Sequence, residues 1–368
     1  MKVLFLGGAG DMAASMIDLM KNERGLDKVT IADIDLDRAK EKAAGAGPLF
    51  DAVRIDSNDR EGLIDVMGKG YDVVINYAGP FYRFERPVAD AAIDAGVHYV
   101  SIADDYDAYL EVEKLEDKAK KKNIKVLTGF GNSPGLTQLL AKKGCNAVKT
   151  PTGIAVNWAA GANEAVGPAN LLHLFHLLSG KTLQWRNGKE EYVPCGKGKK
   201  VVEFPPPIGR LPVFYTGHAE SVSLPRNVPG LDFVSVHGGA SPVFDIKVVR
   251  FLAVLGLTKT HARRERLFRM VKPIIPLFQS EKAPDKSVGR VEVWGTDDGG
   301  KEQRVYYTYV GHIAFITSAP CLQAASWLCA GKLDHLPGGV YAPERLLPDP
   351  GEFLKELSSR GVEMTYYE

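Results

Sequence analysis

Short apolar runs alternate with longer amphipathic stretches along the first third of the chain. The apolar runs predict six strands, at Lys2–Leu6, Lys28–Ala32, Ala52–Ile55, Asp72–Asn76, His98–Ile102 and Lys125–Thr128. Most of the stretches between them carry apolar residues at helical spacing. Strands that alternate with helices form βαβ units and hence a parallel sheet. The pattern therefore predicts an α/β fold that begins with a Rossmann-type doubly wound parallel sheet.

The pattern changes near residue 130, where aromatic residues, prolines and further β-type runs become frequent. These runs are Gly153–Trp158, Val201–Phe204, Phe233–His237, Val243–Arg250, Arg290–Trp294 and Arg304–Val310. Helical stretches at Ala169–Ser179 and Arg263–Phe278 lie among them, and two more helices follow at Ala319–Ala330 and Asp349–Arg360. We predict a dinucleotide-binding domain at 1–130, a second α+β domain at 131–318 and a C-terminal helical segment at 319–368.

Composition and charge exclude several functional classes. The formal net charge is +1, with 45% hydrophobic and 25% charged residues, which is typical of a soluble globular protein. Without a basic block we expect neither nucleic acid nor an anionic membrane as a partner. The four cysteines lack the spacing of a zinc site, so we expect no metal. No apolar run approaches the ~18 residues of a membrane span, and none resembles a signal peptide, so we expect a cytoplasmic protein.

A glycine-rich turn follows the first predicted strand and opens the first helix. Its spacing is Gly8-x-Gly10-x-x-Ala13. Gly8 allows a tight turn, and Gly10 lets the backbone approach a pyrophosphate. The helix N-terminus then offers N–H donors to the phosphates. The cofactor-site candidates in this turn are Gly8, Ala9, Gly10, Asp11 and Met12.

An acidic residue stands where a dinucleotide site needs it, at the end of the second predicted strand. Asp33 is positioned to accept hydrogen bonds from the ribose hydroxyls and to repel a 2′-phosphate, which favours NAD. Asp35 and Asp37 are better explained as capping residues of the helix that begins near Arg38. Because Arg38 is able to pair with a phosphate, NADP stays open.

A second candidate segment, Asn76 to Tyr82, follows the fourth predicted strand. Ligands of doubly wound sheets lie beyond the carboxyl ends of the strands, near the switch point. This position predicts cofactor contacts from Ala78, Gly79 and Pro80 and a substrate-side wall from Phe81 and Tyr82, although a plain turn is the alternative. Asp56, after the third predicted strand, is a further cofactor-site candidate for the same reason.

Several segments together resemble the saccharopine dehydrogenase family, a group that includes saccharopine reductases and lysine 6-dehydrogenases. The residues that carry the resemblance are the glycine turn with Asp33, YDVVINYAGPFYRFERPVADAAIDAGVHYVSIADD, TGFGNSPGLTQLL, WRNGKEEYVP, GHAESVSLPR, and GHIAFITSAP with GGVYAPERLLPDPGEFLKELSSRG. The resemblance covers most of the chain. It implies that the C-terminal helices return to the Rossmann domain and that the second domain mediates a homodimer.

The resemblance also implies hydride transfer at an amine or imine carbon of an amino-acid or opine-type substrate. Such chemistry needs a group that moves protons and a group that holds a carboxylate or ammonium. The catalytic candidates are Asp104, Asp105 and Tyr82, and the substrate-side candidates are Phe81, Arg83, Asn132, Ser133, Glu220 and Arg226.

Several of these candidates have a plainer explanation. Asp104 or Asp105 is also suited to capping the helix that begins near Ala108, Ser133 to capping the helix that follows Pro134, and Arg83 to a simple surface position. Two other functions also stay open. One is a reductase of a different substrate, such as a C=C bond in an apolar compound, and the other is a dinucleotide-binding sensor without catalysis.

Overall fold

The computed structural model describes residues 1–161, 163–164, 175–241, 251–252, 255–271 and 284–367. The chain divides into two compact units. The first unit comprises Met1–Leu136 and Ala314–Leu346, and the second comprises Thr137–Ile313 and Leu347–Glu368. Both units are therefore built from two separate stretches of the chain.

The strands of the described part are numbered in chain order. They are β1 (Lys2–Leu6), β2 (Lys28–Asp33), β3 (Phe50–Arg54), β4 (Val73–Asn76), β5 (His98–Ser101), β6 (Lys125–Leu127), β7 (Thr150–Gly161), β8 (Lys181–Arg186), β9 (Lys189–Pro194), β10 (Lys200–Glu203), β11 (Arg210–Tyr215), β12 (Phe233–Ser241), β13 (Ser287–Thr296), β14 (Glu302–Gly311), β15 (Gly339–Tyr341) and β16 (Glu363–Tyr367).

The helices of the same residues are numbered likewise. They are α1 (Ala13–Lys21), α2 (Leu36–Ala46), α3 (Arg60–Met67), α4 (Phe81–Ala95), α5 (Tyr106–Glu113), α6 (Glu116–Lys122), α7 (Leu136–Ala147), α8 (Glu220–Asn227), α9 (His261–Val271), α10 (Ile313–Cys329), α11 (Pro343–Leu346) and α12 (Gly351–Ser359). Within the described ranges, no helix is both long and apolar enough to cross a bilayer.

The first unit contains a seven-stranded parallel sheet in the order β15-β6-β5-β4-β1-β2-β3. Its central strands are apolar on both faces, as parallel strands covered by helices must be. The order reverses between β1 and β4, which makes this the switch point of a doubly wound sheet. The predicted Rossmann-type fold is confirmed.

The second unit contains a nine-stranded mixed sheet. Its main path is β10-β11-β12-β7-β13-β14-β16, and β8 joins β12 to β9. The pair β12–β7 is parallel, whereas the other pairs are antiparallel. One face of this sheet packs on α7, because Gly144 of that helix lies against Val293 and Tyr307. The predicted second domain is thus a mixed sheet with helices.

Several boundaries differ from those that the sequence predicted. The segment 319–368 does not go as a whole with the first domain, because β16 pairs with β14 of the second sheet. The third strand, predicted at Ala52–Ile55, runs from Phe50 to Arg54. Most of Ala169–Ser179, all of Val243–Arg250 and the end of Arg263–Phe278 lie outside the described residues.

Candidate dinucleotide-binding and active site

The glycine turn after β1 passes close to the loop after β4. Gly7 has a φ of 76°, and a Cβ on it would lie 2.6 Å from the backbone nitrogen of Ala78. Only glycine meets both requirements. Gly8 is the predicted residue of the tight turn, whereas the left-handed residue is Gly7. A larger residue does not fit at Gly8 for a different reason, since a Cβ there would lie 2.8 Å from Cγ2 of Ile31 on β2.

Asp33 fixes the glycine turn as well as standing at the predicted ribose position. Its Oδ2 accepts from the backbone N–H of Ala9 at 3.0 Å, and its Oδ1 accepts from that of Asp35 at 3.1 Å. A carboxylate oxygen accepts more than one hydrogen bond, so ribose contacts remain compatible with both. Asp35 is the N-cap of α2 and accepts from the N–H of Arg38, which confirms its capping role.

Two basic side chains of α2 reach the glycine turn. The Arg38 guanidinium donates to Oδ1 of Asp11 at 2.6 Å, and Nζ of Lys42 donates to the carbonyl of Gly10 at 2.5 Å. The hydrogen bond to Asp11 raises the pKa of Arg38. Burial, followed by the nearby Arg38 charge, lowers the pKa of Lys42. The edge of the turn therefore carries both signs of charge. Lys42, which lies one helical turn beyond Arg38, is not among the residues predicted from the sequence.

Three features fix the position of the loop after β4. The Asn76 Oδ1 accepts from the N–H of Ala78 at 2.9 Å. The Tyr77 hydroxyl donates to Oγ of Ser318 on α10 at 2.9 Å. Gly79 and Pro80 then lead into α4, where Pro80 is the N-cap. The loop is consequently held rigid beside the glycine turn, which is where the cofactor contacts of Ala78, Gly79 and Pro80 are predicted.

A fully buried glutamate lies beneath this loop. The Glu85 Oε1 accepts from the hydroxyls of Ser101 and Thr128, at 2.6 and 2.8 Å. Its Oε2 accepts from the Tyr99 hydroxyl at 2.6 Å and from the Asn76 amide at 3.4 Å. Burial raises the pKa of Glu85 despite these four donors. The network joins the ends of β4, β5 and β6. In the sequence, the only sign of this network is that Glu85, a charged residue, occupies a position on the buried face of α4.

Asp105 follows β5 and is almost fully buried. It occupies the N-cap position of α5 without a side-chain capping bond, and its Oδ2 instead accepts from the backbone N–H of Tyr82 at 3.1 Å. Asp105 therefore connects the end of β5 to the first turn of α4, which brings two of the three catalytic candidates together. Its neighbour Asp104 is partly exposed. Phe81, like Tyr82, is partly exposed in the first turn of α4.

The turn after β6 lies against the end of β5. A Cβ on Gly131 would lie 3.5 Å from Cβ of Ile102, and one on Gly129 would lie 3.4 Å from the Ala103 carbonyl. Ser133 is not the N-cap that the sequence predicted, because it lies within this turn and α7 begins only at Leu136. The buried Oδ1 of Asn132 has no hydrogen-bond partner among the described residues.

Arg83 and Asp56 are joined through one asparagine. The Arg83 guanidinium donates to Oδ1 of Asn58 at 2.9 Å. Both nitrogens of Asn58 donate to Oδ1 of Asp56, the backbone N–H at 2.9 Å and the side-chain amide at 2.8 Å. The backbone bond is the main cause of the lowered pKa of Asp56. The structure thus places Arg83 with the loop after β3.

The sequence of the first unit resembles that of known proteins. Residues 3–127 match the family model of the saccharopine dehydrogenase NADP binding domain. The matched stretch runs from β1 to β6 of the parallel sheet. The predicted resemblance is confirmed over these residues, and the first unit contains a nicotinamide-dinucleotide-binding domain.

Two solved structures share the fold of the whole chain. The apo histidine-tagged saccharopine dehydrogenase (L-Glu forming) from Saccharomyces cerevisiae is 19% identical, with a TM-score of 0.73 over 100% of both chains. A mutant meso-dapdh with DAP from Clostridium tetani E88 is 14% identical, with a TM-score of 0.50 over 96% of this chain and 98% of that one. At such identities these likenesses describe the fold alone.

The NADP-binding domain does not include the last two candidates, which lie on α8 of the second unit. Glu220 is fully buried, and its Oε1 accepts from the Thr137 hydroxyl at 2.7 Å. Arg226, six residues later, forms an ion pair with Glu190 at 3.2 Å. The two side chains therefore have different surroundings, the first in the interior and the second near the surface.

Proposed function

We propose that this protein is an NAD(P)-dependent oxidoreductase that transfers hydride at a C–N centre of an amino-acid or opine-type substrate. The observation that carries the proposal is a set of polar side chains at the carboxyl edge of the parallel sheet. This sheet lies in a domain whose sequence matches an NADP-binding family model. In this set, the partly exposed Asp104 follows β5, and Asn132 presents an unpaired Oδ1 on the adjoining turn.

The residues at the switch point fit a dinucleotide. The turn from Gly7 to Met12 would hold the pyrophosphate at the start of α1, and Asp33 would accept from the adenosine ribose. The pair Arg38–Asp11 places a neutralised cation beside Asp33, so we propose NAD as the preferred cofactor, with NADP as the weaker one. The fixed loop at Ala78, Gly79 and Pro80 would border the nicotinamide end.

The substrate-side groups suit a carbon that bears nitrogen. A bound nicotinamide supplies the hydride acceptor. Oxidation of an amine removes a hydride from carbon and a proton from nitrogen, so it needs a base within hydrogen-bond reach. We assign this base to Asp104 and the positioning role to Asp105, whose carboxylate is engaged by the N–H of Tyr82. The Oδ1 of Asn132 would accept from the substrate nitrogen, as a buried acceptor without a partner requires.

The test is a binding titration followed by turnover. The purified protein is titrated with NAD, NADH, NADP and NADPH, and the tightest binder is used in an absorbance screen of lysine, saccharopine and related amino acids. The proposal expects binding and turnover of at least one amine. If the protein reduced only an apolar compound with a C=C bond, the proposed substrate class would be wrong and the protein would be a reductase of that compound. Dinucleotide binding without any turnover would indicate a sensor. Absence of dinucleotide binding would overturn the central proposal.

Two variants then separate the roles of the substrate-side residues. We expect Asp104→Asn to lower kcat by about 100-fold or more and to remove the acidic limb of the pH profile, as loss of a general base does. Asn132→Ala should mainly raise the KM of the amine by about tenfold, the effect of losing one hydrogen bond. Dinucleotide affinity serves as the control and should stay unchanged in both variants.

We also propose a homodimer formed through the second unit. Apolar side chains of this unit are well exposed, among them Phe251, Leu255 and Met270, at 63, 57 and 60%. Large exposed apolar side chains favour association. Sedimentation at micromolar concentration should give twice the mass of one chain, and a single-chain mass would contradict the dimer.

A further inference from the structure

Three buried polar side chains lie side by side on one face of the second sheet. Asn157 is on β7, and Ser235 and His237 are on β12, with exposures of 0, 1 and 2%. Asn157 is the register partner of His237, and residues two apart on a strand share a face. One atom of each, Oδ1, Oγ and Nδ1 respectively, has no hydrogen-bond partner in the described part of the chain. A buried polar atom of this kind destabilises the fold unless a ligand or a water satisfies it.

Two basic side chains lie on the same face. Tyr215 of β11 is the register partner of His237, and their rings are 4.4 Å apart. The Arg186 guanidinium hydrogen-bonds the Tyr215 hydroxyl and lies over its ring, while its buried Nε has no partner. Lys200 of β10 pairs with Val213, two residues before Tyr215, so it shares this face.

Lys200 lacks the counter-charge that the neighbouring basic residues have. Arg186 pairs with Glu191 at 3.6 Å, and Arg290 pairs with Glu292 at 2.8 Å. The side-chain ammonium of Lys200 makes no hydrogen bond or ion pair with any described residue, although Glu292 acts on it at longer range. Burial lowers the pKa of Lys200 to about 8.

The positive charges of Lys200 and Arg186 also affect His237. Burial, then the charges of Lys200 and Arg186, lower its pKa to about 3. Its ring is therefore neutral near pH 7. The hydrogen bond to the backbone of Gly198 leaves Nδ1 as the unpaired ring nitrogen. Neutral Nδ1 and the Oδ1 of Asn157 are acceptors, whereas Lys200 and Nε of Arg186 are donors.

We propose that Asn157, Arg186, Lys200, Ser235 and His237 form a binding site for a phosphate group, called here the Lys200 site. A phosphate monoanion carries the missing negative charge and has unprotonated oxygens that accept from Lys200, Arg186 and Ser235. A P–OH group of the same monoanion donates to a neutral acceptor such as Nδ1 of His237. A fully ionised oxyanion such as sulfate lacks that donor. The proposal does not rest on the dinucleotide site.

The test is calorimetric titration of the full chain with inorganic phosphate. We expect saturable binding that Lys200→Gln weakens at least tenfold, whereas the matched control Lys199→Gln, at the exposed neighbouring residue, leaves it unchanged. Sulfate should bind more weakly than phosphate. Glycerol phosphate binding as tightly as inorganic phosphate would assign the site to a phosphate ester, and weaker binding would assign it to the free ion. Thermal unfolding midpoints check that both variants are folded.

Three results would overturn the proposal. The first is no saturable phosphate binding by the wild-type chain. The second is binding that is unaffected by Lys200→Gln but lost in Gly10→Ala, since this would place the phosphate at the glycine turn. The third is a crystal structure grown in phosphate with only ordered water on Asn157, Ser235 and His237.

Discussion

At the scale of single residues, Asp33 has two roles that a substitution is able to separate. Its charge repels a 2′-phosphate, whereas its oxygens hold the backbone of Ala9 and Asp35. Asp33→Asn removes the charge and keeps an acceptor for Ala9. We expect the affinity for NADP relative to NAD to rise about tenfold, or about 1.4 kcal/mol. A 2′-phosphate would then meet an uncharged side chain beside the Arg38–Asp11 pair.

The measurement is the ratio of the two dissociation constants for each variant. The matched control is Asp37→Asn, which removes one negative charge from the first turn of α2, two residues beyond the N-cap of that helix. Its ratio should stay close to that of the wild type. An equal change in both variants would mean that the general negative charge of this region, rather than the position of Asp33, selects the cofactor.

At the scale of elements, Glu85 joins three strand ends, and its titration should be visible in the stability of the protein. Its folded pKa is raised above the ordinary value of 4.5. At pH values between 4.5 and the folded pKa, the folded state keeps the proton of Glu85 and the unfolded state loses it. The contribution of Glu85 to stability is therefore complete below about 4.5 and falls as pH rises toward the folded pKa. Glu85→Gln should remove this dependence.

Urea unfolding across this pH range provides the check. Glu85→Ala leaves four donors without their acceptor and should cost about 3 kcal/mol at neutral pH, with the Gln variant losing less. The control is Glu61→Gln on α3, whose side chain is 88% exposed. It should change neither the stability nor its pH slope. A wild-type slope that persists in Glu85→Gln would assign the titration to another group.

The elements also show what a sequence is able to predict. Six of the seven strands of the parallel sheet and Asp33 were predictable because apolar runs and a glycine spacing are local signals. Gly7 and Lys42 were not, since their roles depend on atoms brought near by the fold, Ala78 in one case and the carbonyl of Gly10 in the other. The Glu85 network needs donors from three strands, so no sequence window contains it.

At the scale of the whole molecule, the first unit is discontinuous in sequence. The apolar-run pattern predicted a domain at 1–130, and the family resemblance implied that C-terminal helices return to it. In the structure, β15 pairs with β6, and α10 contributes Ser318 and Ser326, which bond Tyr77 and Glu23. Twelve of the seventeen residues of α10 are buried. A fragment that ends at residue 130 lacks these contacts, so its sheet would end at β6 with an unpaired edge.

Two fragments test this organisation. The first is 1–130, and the second joins 1–136 to 314–346 through a flexible Gly/Ser linker. We expect the joined fragment to unfold cooperatively in urea and to bind NAD, because it restores β15 and α10 to the sheet. The shorter fragment should lack a cooperative transition and bind no dinucleotide. Cooperative unfolding of 1–130 with wild-type affinity for NAD would instead mean that the six-stranded sheet is sufficient and that residues 314–346 are an addition to a complete domain.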